Sequence, residues 1–531
     1  MKSRRLDNLG LIAGMIEELG FVNSIDSYID QDINQRKISI GESVKAMILN
    51  SLGFINSQLY TVSDFFEKLP VEKLFKDGVK ASHFNDDVLG RSLDSLYKND
   101  ICQLFTIIST KACKVLNLKS QTFHVDSTSF HTHGDHINKD VNDTNVIKLV
   151  QGYSRDFHPE LNQVVLEMIA NNCSGIPLAM KPLSGNANDN KEFPKIINEF
   201  AKNLQYSELE PITFVADSAF YSHKNISELS ENIKFITRVP NRSKEVLDIY
   251  KSIDINELTI IDDDYSFKEF TSNYGGKTQR WIVFFSQQAH NKKLKTFEKK
   301  LKKDIDLEKK NFNKISSKEF ACKEDAIKDL TRFMNKSKYL ICKDYDIIEH
   351  KKYKTKGRPD KTSEYIVYYE LKANFSLKND VIDAEKSKIG LFVLSTNHLE
   401  EYTAEEVLKL YKEQGKVERG FRFLKDHTFM ASSIYLEKPQ RIEALMFVMC
   451  LCLMVYSALE HRIREGLKNK NLYYPNQLKK LIQNPTARWI FYNFYGIEVL
   501  YYEDKRFVIN KNTNHDKIIN ILGDNYVKYY S

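Results

Sequence analysis

Between Leu9 and about Asn117, apolar residues recur at helical spacing in three punctuated runs: LGLIAGMIEELGFVNSIDSYI, SVKAMILNSLGFI and LGRSLDSLYKNDICQLFTIISTKACKVL. That period predicts an all-helical module over residues 1–118. From Gln121 the pattern turns to short β-rich runs, TFHVDSTSF, LNQVVLEMIAN and IPLAMKPLSG, with the turn NCSG joining the last two as a hairpin. A helical run through NKEFPKIINEFAKNL, a strand PITFVAD, a helix starting near His223 and a strand KFITRVP follow. A hairpin succeeded by strands alternating with helices predicts a mixed sheet covered by helices, an α/β core whose first part spans residues 119–240.

After Pro240 the alternation lapses until GLFVLSTN at Gly390–Asn397. Residues 241–388 therefore read as an insertion domain, with strand-like RWIVFFS and SEYIVYYELKANF. Its Lys-rich run HNKKLKTFEKKLKKDIDLEKKNFNKI has Phe297, Leu301 and Ile305 recurring every four residues, which predicts an amphipathic helix. A solvated basic face and a DNA contact both explain its lysines at this stage. Residues 389–465 resume the core with one long predicted helix, TAEEVLKLYKEQGKVERGFRFLKD, and a very apolar one, ALMFVMCLCLMVYSAL. The latter is shorter than the roughly 20 residues of a membrane span, and Glu443, Glu460, His461 and Arg462 flank it. It reads as a buried core helix, and no membrane partner is expected. The aromatic tail, residues 466–531, reads as a packed C-terminal region.

Composition bounds the function loosely. The chain has 531 residues, 42% of them hydrophobic, and a net charge of +7, so it is expected to be globular with a modest basic excess that suits a polyanion. Seven cysteines with no CxxC pair argue against a disulfide frame or zinc ribbon. The opening MKSRRLDNLG is unlike a secretory signal, so export is not expected.

The candidate chemistry lies in three acids. Asp126 (TFHVDSTSF) and Asp217 (ITFVADSAFY) each follow an apolar strand-like run and precede Ser, placing a costly carboxylate at a buried strand end. Either alone is equally a turn or helix cap. Glu418 sits in the long predicted helix, where Tyr411, Gln414, Glu418, Arg422 and Lys425 fall within roughly 40° of one line, while Leu410, Val417, Phe421 and Leu424 form the adjoining apolar face. Such a stripe is either a solvated face with helical ion pairs or a metal ligand flanked by phosphate-binding cations. Three carboxylates from separate elements point to metal-assisted phosphoryl transfer on nucleic acid.

Here the chain resembles the DDE transposases of bacterial insertion sequences, and within them the group with a Tyr-Arg-Glu-Lys signature, Y-x2-R-x3-E-x6-K. Tyr411, Glu418 and Lys425 match it, and Gln414 stands where the signature has arginine, with Arg422 a candidate substitute. The resemblance also covers GYSRDFHPELNQV, GIPLAMKPLSGNANDN, FITRVP, GLFVLSTN, the apolar helix and ILGDNYVKYY. It implies a ribonuclease H-like (RNase H-like) core interrupted by an insertion domain, and a cytoplasmic, nucleoid-associated enzyme. Asp126, Asp217 and Glu418 would be catalytic and hold two Mg2+ ions, with Mn2+ able to substitute. Tyr411, Gln414, Arg419, Arg422 and Lys425 would contact double-stranded DNA, both terminal inverted repeats and target. Assembly as a homodimer or larger synaptic complex is also implied. Another RNase H-like nuclease, acting in repair or on junctions, and a retired transposase that only binds DNA are the competing readings.

Two further motifs stand apart. His124, His131, His133, His136 and His158 gather around the first aspartate, yet HTHGDH fits no standard zinc spacing and reads as a polar active-site loop. KYKTKGRPDK places Arg358 in a Lys-Gly-Arg-Pro core resembling hooks that enter a narrow A·T minor groove; a solvent-exposed basic loop explains it as well.

Overall fold

In the computed structural model, the residues described are 2–32, 36–53, 59–118, 122–133, 146–154, 157–187, 189–203, 212–354, 364–426, 436–503 and 505–531. They fall into two compact units. The first comprises Met1–Arg238, Ser272–Gln279 and Thr396–Ser531, and the second Val239–Thr271 and Arg280–Ser395.

In chain order the first unit is built from α1 (Leu9–Glu18), α2 (Ile40–Leu52), α3 (Asp86–Tyr97), α4 (Ile101–Val115), β1 (Thr122–His131), β2 (Gln163–Asn171), β3 (Pro177–Ser184), α5 (Asp189–Asn203), β4 (Ile212–Ala216), β5 (Ile233–Arg238), α6 (Ala404–Lys412), α7 (Gly415–Leu424), α8 (Pro439–Asn469) and α9 (Asp524–Tyr530), with shorter elements between. The strands lie in the order β3-β2-β1-β4-β5. β3, β2 and β1 are antiparallel neighbours, whereas β1, β4 and β5 run parallel. The β2–β3 turn closes through Gly175, whose positive φ of 69° suits a residue without a Cβ, while the Asn171 side chain accepts from the Cys173 and Ser174 backbone N–H groups. α5 covers one face of the sheet, its Phe200 ring meeting Phe123 of β1 and Phe214 of β4 edge-on.

α8 organises the helical side. It is long and apolar enough by composition to cross a membrane, yet 17 of its side chains, Leu451 and Met454 among them, are buried against α1, α2, α3, α4 and the sheet edge β3. Arg441 clamps it to α3 through two 2.7 Å bonds to the Asp94 carboxylate. The first 118 residues thus pack within the same unit as the C-terminal helices. They are not wholly helical either: Lys2–Arg5 forms a strand antiparallel to Glu498–Tyr502. KSRR carries no apolar alternation, and only this distant partner makes it a strand.

α9 lies on α1 through two glycines. A Cβ at Gly10 would stand 2.7 Å from the Tyr530 ring and one at Gly14 2.6 Å from Tyr526, so only glycine permits this approach. The Tyr530 hydroxyl donates to the Asp7 carbonyl (2.8 Å) and accepts from the Leu11 N–H (3.2 Å); Tyr526 donates to Glu18 (2.6 Å) and Tyr529 to Glu17 (2.5 Å).

The second unit holds a 30-residue helix, Gln287–Ser316, a helix Lys323–Lys336, and a long antiparallel hairpin, Leu340–Tyr353 with Tyr365–Leu377. Phe312, Phe320, Ala326, Leu330, Phe333, Leu340 and Leu371 form its own core between them.

Candidate active site

The parallel pairing of β1 and β4 sets the site. Their apolar runs are buried, and the register pairs Thr122 with Thr213 through to Val125 with Ala216. The next rung therefore carries Asp126 and Asp217, on strands that lie about 4.8 Å apart. The equivalent register of β4 with β5 ends at Ala216 and Thr237, so Arg238 takes the following rung beside Asp217. One step beyond three parallel strands thus lines up two carboxylates and a guanidinium. Asp126 is not at a strand end, as the sequence suggested: β1 continues to His131, paired with β2. What ends at that point is its β4 neighbour, which leaves the carboxylate beside an open edge.

Local hydrogen bonds fix both carboxylates. One oxygen of Asp126 accepts from the Ser127 N–H and one of Asp217 from the Ala219 N–H, each at 2.8 Å. The Thr237 hydroxyl donates to the Asp217 carbonyl at 2.8 Å, tying β5 to the turn that leaves β4.

α6 and α7 carry the remaining side chains. The predicted single helix is two, because Gln414, Lys416 and Val417 donate to carbonyls three residues back instead of four, a tightened turn at Glu413–Gly415. Gln414 is buried there, only 7% exposed, so it is not available as a DNA-backbone contact. α7 anchors through Val417, Phe421 and Leu424, leaving Glu418, Arg419 and Arg422 exposed. Tyr411, at the end of α6, hydrogen-bonds Arg238. Burial, with the charges of Asp217 and Glu418, raises its hydroxyl pKa, and Arg238 pulls the other way. Tyr411 thereby links the aspartate rung to the glutamate helix. Lys425, closing α7, holds its ammonium 5.9 Å from the Phe130 ring centre; Phe130 shares the Asp126 face of β1.

A buried polar chain runs beneath. His124, two residues before Asp126 on the same face, hydrogen-bonds the Asn172 amide oxygen. Asn172 donates in turn to Glu413 at 2.5 Å, and Lys416 donates to the Asn172 carbonyl at 3.1 Å. Burial drives the His124 pKa down to about 4, so the ring is neutral at pH 7 and its Nε2–H can donate to Asn172. This chain pins the α6–α7 turn to β1. Sequence reasoning missed Arg238, Asn172, Glu413 and Lys416; FITRVP reads as a strand and a family-like segment, and strand register is the signal that singles out its arginine.

Of the histidine cluster, the His131 and His158 rings meet edge-on with centres 5.5 Å apart, but among the described residues the cluster forms no metal site. His131 bonds the Ser154 hydroxyl (3.1 Å) and His158 the Glu160 carboxylate (3.0 Å), and His136 lies outside the described residues. Arg358 lies outside them too. Among the described residues no three His, Cys, Asp or Glu side chains form a ready metal cage, so Glu418 does not close on the rung that Asp126 and Asp217 share.

Two aspartates on one rung of a mixed sheet, with Arg238 and Tyr411 next to them, suit metal-assisted phosphoryl transfer. The family follows from the sequence itself: residues 117–455 match the family described as Transposase DDE domain, and the chain belongs to it. It is accordingly a DNA transposase of a family of metal-dependent DNA cleavage and transfer enzymes. Residues 1–110 match a family described as a domain of unknown function (DUF4277). No curated protein matches the chain. Among solved structures it is similar to a piggyBac transposase synaptic complex with hairpin DNA, at 10% identity and a TM-score of 0.38, over 92% of this chain and 78% of that one.

Proposed function

We propose that this transposase binds the terminal inverted repeats of a bacterial insertion sequence, cleaves at the element ends and joins the freed 3' ends to target DNA. The observation that carries this reading is the shared rung of Asp126 and Asp217, inside the matched residues, with Arg238 beside it bonded to Tyr411 and the charge of Glu418 felt at the Tyr411 hydroxyl. The core is read as RNase H-like on the strand order β3-β2-β1-β4-β5 with its antiparallel and parallel halves.

The donors fit a hard divalent cation such as Mg2+, with Mn2+ as a substitute, because all three are carboxylates on separate elements. Asp126, Asp217 and Glu418 would hold it. When bound, such ions lower the pKa of an attacking water or 3'-hydroxyl and stabilise the leaving 3' oxygen. Lys425 and exposed Arg419 and Arg422 contribute fixed positive charge where a DNA end would lie. The Tyr-Arg-Glu-Lys grouping is read in a modified form, supported by Arg238, which bonds Tyr411 and supplies a guanidinium from β5, while Gln414 is buried. The enzyme acts in the cytoplasm as a dimer or larger synaptic assembly.

The test is end cleavage and strand transfer on duplexes carrying the inverted repeats that flank the gene. Asp126→Asn, Asp217→Asn and Glu418→Gln should each abolish metal-dependent cleavage while end binding persists. Full cleavage by any one variant removes that residue from the ligand set. Cleavage without joining of precleaved ends would instead identify a nuclease.

A further inference from the structure

The Gln287–Ser316 helix has two opposed faces. Ile305, Phe312 and Ile315 pack into the core of the second unit. At 100° per residue, Lys292, Lys299, Lys303, Lys310 and Lys314 fall within about 40° of a single line on the opposite side, and all five are exposed. Twenty-two residues separate the first from the last, about 33 Å at 1.5 Å per residue.

These five lysines differ from their neighbours in the same unit. Lys318, Lys338, Lys352 and Lys354 each reach a carboxylate within 2.8 Å. None of the five has an ion pair among the described residues, although the same helix carries Glu298, Asp304, Asp306 and Glu308, with Asp306 at the edge of the stripe. Lys299 with Lys303, and Lys310 with Lys314, are like charges four residues apart, an arrangement that weakens a helix. Successive lysines along the line stand about 6 to 10 Å apart, near the roughly 8 Å Debye length. With five lysines against the single carboxylate of Asp306, the row is net positive and self-repelling alone, and a rigid polyanion of matching length relieves it. Duplex DNA carries a charge every 1.7 Å or so and turns once in about 34 Å.

We propose that this lysine stripe is a sequence-independent DNA-backbone contact, laid along about one turn of duplex. The choice of polyanion rests on the transposase reading. The test uses the full chain with all five lysines changed to Gln, beside a second variant with all five changed to Arg. Each is assayed on a random-sequence duplex across a salt series and on phosphatidylserine vesicles, after circular dichroism and thermal unfolding confirm the fold. Gln should weaken duplex binding at least about tenfold and flatten the slope of log affinity against log salt by three or more, because each phosphate neutralised contributes about 0.9. Arg should preserve both. An unchanged slope in the Gln variant, with the parent binding DNA, overturns the stripe but leaves the transposase reading intact. A parent that ignores random duplex and binds vesicles through these lysines overturns the stripe as a DNA contact, and one that also ignores the inverted-repeat ends overturns the proposed function.

Discussion

At the scale of single residues, the site depends on a polar chain that touches no substrate. Asn172 joins His124 to Glu413, and through them strand β1 to the α6–α7 turn. Asn172→Leu would leave buried groups unsatisfied, at a cost of about 1–3 kcal/mol each. Strand transfer should fall well beyond any loss of end binding, and Asn172→Gln should restore part of it; equal losses in binding and transfer would reduce Asn172 to general packing. Tyr411→Phe probes the other bridge. It removes the bond to Arg238 yet keeps the ring, so transfer should drop several-fold with little change in unfolding temperature. The two aspartates were legible in the sequence because each ends an apolar run with the same Asp-Ser step. Arg238 was not, because its place beside Asp217 depends on the parallel register between strands about 20 residues apart, which no local pattern encodes.

Elements show the same division between local and distant causes. The α6 and α7 segments were legible as helix from their period, but their break was not. Gly415 was in view, and only the bonds around it show that the turn tightens and buries Gln414. α8 carries a titratable group at its start: Glu443 accepts from the Ile147 N–H at 3.0 Å, yet burial raises its pKa to about 7 from the ordinary 4.5. The folded state therefore prefers the protonated acid. Stability from this group is complete below pH 4.5 and is lost as pH rises through 7. Glu443→Gln should remove that slope, raising stability at pH 8 by on the order of 2 kcal/mol and changing little at pH 4. Urea unfolding at the two pH values decides it. On α1, Gly14→Ala forces a methyl into the Tyr526 ring and should cost about 1–3 kcal/mol, read as a lowered unfolding midpoint.

For the whole molecule, periodicity foretold the run of helices and strands and the interruption after Pro240, because those depend on burial patterns within each segment. Which segments cluster was beyond it. Residues 1–118 read as a separate module, yet α1, α2 and α3 pack on α8, more than 300 residues later. Deletion of residues 524–531 removes the tyrosines that cover the glycine face of α1 and should lower the unfolding midpoint, read by calorimetry. The contact of α9 with α1 also sets a schedule. Leu11 and Tyr530 are 519 residues apart, so at 5–20 residues per second about half a minute to two minutes separates their synthesis. During that interval the glycine face of α1 has no tyrosines to cover it, and a nascent chain is exposed to chaperones and proteases until α9 emerges from the ribosome.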